Sequence, residues 1–236
     1  MLRHFHGQIW CPPRFALRRR LTWALDITMT NIDHFQLLNS RLDRFRVLGS
    51  QPGPIGFLGQ EALRFHSIAG TLKANGMVGN SSDDERYISH ILARSLIENF
   101  FWMVYIFNIP ASRQSRYDNL VTAFKREYGR FYDERLHINS YLAAPGQGWS
   151  QLQSVLDVRS MIAQVRNDHG NRLDPLYAIY RIASFDTHGK SLNNVIESAL
   201  GVSSPNFPAL DIDSGFNLIA NHYLCTLSEL EAAGTV

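Results

Sequence analysis

Arg94 and Glu98 stand four residues apart in the most apolar helix-patterned run of the chain, Asp83–Phe107. On a helix, side chains at that spacing share a face. If the face is buried, both charges must be paired, because desolvating an unpaired ion costs several kcal/mol. Two outcomes follow: an ion pair that fixes a neighbouring helix, or the charged lining of a polar pocket. A second group lies about ninety residues later. Tyr180, Ser184 and His188 fall at i, i+4 and i+8 and share one helical face, and Arg181 precedes His188 by two turns. A histidine at a helix C-terminus feels the negative end of the dipole, which favours its charged form. Gly189 after it permits a tight exit. The structural alternative is that His188 satisfies helix-end carbonyls or bonds Glu98 in the core.

The elements that must position these residues are all helical. Phe35, Leu38, Leu42, Phe45 and Leu48 predict a first helix from about Thr22 or Asn31 to Leu48. A second is expected over 57–75, with Leu63, Ile68 and Leu72 inward and Gly76 as its cap. Ser82-Asp83-Asp84-Glu85 forms a capping box for the central helix, whose apolar face includes Ile88, Ile91, Leu92, Leu96, Met103 and Ile106, and Pro110 stops it. Further helices are expected over 111–137, 150–167, 175–187, 192–200 and 214–232. Alternating strands and hairpin turns are missing from the pattern. The expectation is an all-α antiparallel bundle of about seven to eight helices in one domain, residues 29–236.

Residues 1–28 carry five Arg against one Asp, a basic arm that is either disordered or an upstream extension with Met29 as the true start. Since the whole chain is +2, the body is −2 and lacks the basic bias of a protein that grips long nucleic acid. Hydrophobic content of 45% against 19% charged argues against wholesale disorder. Cys11 and Cys225 lie at opposite ends, which argues against a disulfide framework and fits a reducing compartment. No signal-peptide pattern and no run of about 18 apolar residues is present, so a cytoplasmic protein is expected.

Other chemistries have no sequence basis. The chain lacks a glycine-rich phosphate loop, GxSxG, HExxH and DxDxDG. His66, His90 and His137 lie far apart, without a partner at ligand spacing on their own helices, and neither a metal nor a cofactor is expected. Phe100, Phe101, Trp102 and Tyr105 read as core. So do Tyr117, Tyr128, Phe131 and Tyr132, with a partner-helix or dimer face as the alternative.

The segments Arg94-Ser95-x-x-Glu98 and Tyr180-x-x-x-Ser184-x-x-x-His188-Gly189 together resemble a widespread bacterial family of all-helical proteins without an established activity. The resemblance spans roughly residues 55–230. Arg181 and His188, six residues between them, are also similar to the Arg-x(4–6)-His spacing of the HEPN superfamily, small helical bundles that include metal-independent ribonucleases of toxin, defence and RNA-processing systems. That resemblance implies His188 as general acid or base on the ribose 2′-hydroxyl or the leaving oxygen. It implies Arg181 as the stabiliser of phosphoryl charge, with Tyr180, Ser184, Arg94 and Glu98 positioning them. It further implies RNA as substrate and a site built across a homodimer. Two features depart from the pattern: Ile182 follows the arginine where asparagine is frequent, and the body is slightly acidic. Arg166-Asn167-Asp168-His169 has the Arg-Asn pair, but its histidine follows too soon. The expectation of another class is a non-catalytic helical module that binds a protein partner, its polar cluster purely structural.

Overall fold

The helix Asp83–Phe107 is the element against which much of the remainder packs. Its last two turns, Phe100–Phe107, are apolar on every side, so they must be buried nearly all round. Phe100, Phe101, Trp102, Met103, Tyr105, Ile106 and Phe107 are all buried. The structure, a computed structural model, describes residues 32–79, 83–154, 156–165, 173–188, 193–201 and 211–236. The basic arm, Met29, Ser82 of the capping box, Arg166–His169 and Gly189 lie outside the described residues.

The protein is all-α, with no strand among the described residues. Its helices are α1 (His34–Asn39), α2 (Leu42–Gly49), α3 (Gly53–Ala74), α4 (Asp83–Phe107), α5 (Arg113–Asp133), α6 (Val158–Ala163), α7 (Leu173–Thr187), α8 (Asn193–Leu200) and α9 (Ile212–Ala232). Short 3₁₀ turns occupy Pro110–Ser112, His137–Tyr141 and Trp149–Gln151. Among the described residues, no helix is long and apolar enough to cross a membrane.

Several boundaries differ from the expected ones, each for a local reason. The first helix is two, because the Ser40 hydroxyl donates back to the Leu37 carbonyl (2.7 Å) and competes with the helix ladder. The helix expected over 111–137 stops at Asp133: Arg135 adopts φ +53°, and Asn139 Nδ2 donates to the Tyr132 carbonyl. The helix expected over 150–167 is only Val158–Ala163 in the described chain. The Asp157 carboxylate accepts from Ser160 N (2.7 Å) and sets the start there.

Phe45, Phe65, Phe100, Phe216 and Tyr223 form the centre of the core, contributed by α2, α3, α4 and α9. Complete burial pushes the Tyr223 phenol well up from its ordinary range. On α3 the inward stripe is Leu58, Ala62, Phe65, Ala69 and Leu72, while Leu63 and Ile68 are only half-buried. Gly59 lets α2 and α3 close together. A methyl group there would stand 2.2 Å from Gly49 N and 2.6 Å from the Phe45 carbonyl oxygen.

The α5 helix departs most from expectation. Its aromatic residues read as core, yet only Arg116 and Gly129 are buried on it, and Phe124 is 62% exposed. Tyr117 and Leu120 still pack against the core; the aromatic half beyond them does not join it.

Candidate functional site: the polar seam between α4 and α7

Helices α4 and α7 run antiparallel, as four residue pairings show. Phe101 meets Tyr177 and Tyr180, Arg94 meets Ser184, and His90 meets Asp186. The apolar end of the seam is aromatic. The Tyr180 ring stands edge-on to Phe101 at 6.1 Å between centroids and stacks with Tyr177 at 6.2 Å.

The middle of the seam holds the predicted cluster. Arg94 Nη1 pairs with Glu98 Oε2 at 3.1 Å, and Arg94 Nε donates to Ser184 Oγ at 3.1 Å. The Ser184 hydroxyl in turn donates to the Tyr180 carbonyl at 2.7 Å. The Arg94 guanidinium also lies over the Tyr180 ring, 5.1 Å from its centre, where the ring quadrupole attracts a cation. One guanidinium therefore serves three groups on two helices. The site is neither sealed nor open: the Arg94 and Glu98 side chains are 23% and 35% exposed. Partial burial raises the Tyr180 phenol above its ordinary range, Glu98 adds to this, and Arg94 opposes it.

The far end holds the pair that sequence reasoning missed. His90 Nδ1 hydrogen-bonds Asp186 Oδ2 with both side chains buried. The signal was present. His90, Arg94 and Glu98 fall at i, i+4 and i+8, so the polar stripe of α4 starts one turn earlier than the Arg–Glu pair. The apolar face drawn for α4 left no room for this: Ile88 is 48% exposed and Ile91 and Leu92 are half-buried, while Ser89, His90 and Ala93 are buried.

Four of the six predicted site residues thus come together: Arg94, Glu98, Tyr180 and Ser184. Arg181 and His188 do not join them through any hydrogen bond or ion pair among the described residues; both are exposed on the outer side of α7. Seven residues apart, they share one stripe about 10 Å long. The expectation that His188 bonds Glu98 in the core is therefore not met: Glu98 pairs with Arg94, and the buried histidine of the seam is His90. Chemically, the seam is a set of satisfied donors and acceptors. The His90–Asp186 pair has the make-up of an oriented general base, but burial keeps it from a substrate. No group of three or more His, Cys, Asp or Glu converges as a metal site among the described residues.

Comparison with family models, curated proteins and solved structures finds no match to this chain.

Proposed function

We propose that this chain is a non-catalytic helical binding module in which Arg94, Glu98, Tyr180 and Ser184 are structural, with His90 in place of the expected His188 as the histidine of the seam. One observation carries the reading: the polar groups of the seam are spent on one another. Arg94 is engaged by Glu98, Ser184 and Tyr180 at once, and His90 by Asp186. A catalytic arginine or histidine needs a face turned to the reacting atoms, and these turn theirs to the neighbouring helix. Such a network sets the register of α7 against α4 and leaves the outer helical faces to meet a partner.

The second reading is a HEPN-like, metal-independent ribonuclease in a bacterial stress, toxin–antitoxin or phage-defence setting. The exposure of Arg181 and His188 on one stripe of α7 favours it. There His188 would be the acid/base and Arg181 the phosphate stabiliser, with RNA as substrate.

One assay separates the two. Purified protein and its His188→Ala variant are incubated with structured and single-stranded RNA in EDTA. The binding-module reading expects no cleavage that depends on His188. Cleavage by the wild type that drops at least about a hundredfold in the variant would overturn it in favour of the nuclease.

A further inference from the structure

Helix α5 ends differently from α3 and α9. After those two helices, the residue that turns the chain through the left-handed region is glycine, Gly76 at φ +69° and Gly234 at φ +63°. After α5 the same position is Arg135, at φ +53°. A side chain there crowds its own backbone, and glycine would not. Hydrogen bonds hold the turn in place. Asn139 Nδ2 donates to the Tyr132 carbonyl at 2.6 Å, and the Arg135 N–H donates to the same oxygen at 3.2 Å. The backbone of this turn disfavours the very side chain it carries, so the use of that side chain lies elsewhere than in the turn.

Arg135 lines a pocket of about 350 Å³ together with Tyr132, Asp133, Leu136 and Asn139. Two opposite charges in it are uncommitted. Among the described residues, neither the Arg135 guanidinium nor the Asp133 carboxylate makes a side-chain hydrogen bond or ion pair, and the two do not pair with each other. Asn139 Oδ1 is buried without a hydrogen-bond partner. Tyr132 and Leu136 supply the apolar part of the lining, and Leu136 is 42% exposed.

We propose that this pocket binds a free α-amino acid with an apolar side chain. The ligand carboxylate takes the guanidinium fork of Arg135, whose planar donors match a carboxylate. The ligand ammonium takes the Asp133 carboxylate, where the C-terminal end of α5 adds negative potential. The ligand side chain lies against the Tyr132 ring and Leu136. Charge and volume select this class over others. Asp133 and the helix end repel a polyphosphate, and Arg135 repels a simple cation. At about 30 Å³ for each water-sized group, the pocket holds roughly a dozen non-hydrogen atoms, the size of leucine or phenylalanine. The volume lies at the small end of the range for ligand pockets. The proposal goes beyond the binding-module reading, which stands or falls separately.

Isothermal titration calorimetry of the full chain with L-leucine and L-phenylalanine tests it. At least one should bind with a Kd on the order of 1 mM or below. N-acetyl-L-leucine and L-leucinamide each lack one of the two charges and should bind at least about tenfold more weakly than leucine. Arg135→Gly should weaken binding by at least about tenfold, yet melt no lower than the ligand-free wild type, because glycine is unstrained at this φ. Asp133→Asn should weaken binding to a similar degree. If Arg135→Gly does not fold, Arg135→Asn takes its place, since asparagine also tolerates the left-handed region. A wild type that binds neither amino acid up to about 20 mM overturns the proposal. So does binding that survives the substitution at Arg135 or at Asp133, or binding in which N-acetyl-leucine or leucinamide matches leucine.

Discussion

The imidazole of His90 and the carboxylate of Asp186 meet in the interior, joining the first half of α4 to the last turn of α7 with both side chains shut away from solvent. One turn along α4, Arg94 makes the partly exposed counterpart of that contact with Ser184. The two links differ in their energetic weight. A buried pair that loses one member leaves the other stranded, whereas a half-exposed pair is replaced by water. The strength of the seam therefore lies at its buried end.

Within the Arg94 cluster, the two partners should not be equivalent. Arg94→Ala removes an ion pair, a hydrogen bond and a cation–π contact together, for an expected loss of about 1–2 kcal/mol. Glu98→Ala removes only the ion pair, on a side chain 35% exposed, for less than about 1 kcal/mol. Urea unfolding of both variants checks the order; a larger loss for Glu98→Ala would mean that Arg94 depends on its carboxylate alone.

Gly59→Ala should cost about 3 kcal/mol, the upper part of the range for overpacking, because the added methyl group meets backbone of α2 rather than a movable side chain. Gly79→Ala is the control, since nothing lies within 4 Å of its methyl position. Equal melting temperatures for the two variants would contradict the close approach of α2 and α3.

Desolvation holds the Glu61 carboxyl above its ordinary 4.5, against the pull of Arg64. The folded chain keeps that proton to higher pH than the unfolded chain does. Stability from this group is thus present below about pH 4.5 and is lost as pH rises through the folded value. Glu61→Gln does not ionise. It should melt higher than the wild type at pH 7, with the difference narrowing toward pH 4. The lost pairing with Arg64 weighs little, as that side chain is 42% exposed. A difference that widens toward acid would contradict the sign.

The helical class, the centrality of α4 and the shared faces of Arg94 with Glu98 and of Tyr180 with Ser184 were legible in the residues, because helical spacing fixes which side chains share a face; that α7 lays the second pair against the first is set by tertiary packing. Asp186 was not. It is a lone acidic residue whose partner sits on another helix, and spacing along one helix carries no information about that. The aromatic half of α5 misled for a related reason. An apolar stripe predicts that something covers it without naming what, and here the described core covers only Tyr117 and Leu120. Arg181 and His188 share a stripe as expected, but it is the outer stripe of α7, a rotation that only tertiary packing decides.

A double-mutant cycle on His90 and Asp186, read by urea unfolding, tests most directly whether the seam is there to hold α7 on α4. His90→Leu and Asp186→Leu should each cost about 3 kcal/mol, and the double variant should recover at least about 1 kcal/mol of their combined loss, because neither partner is then left stranded. Strictly additive losses would mean that the two side chains do not depend on each other, and would contradict the structural role assigned to the seam.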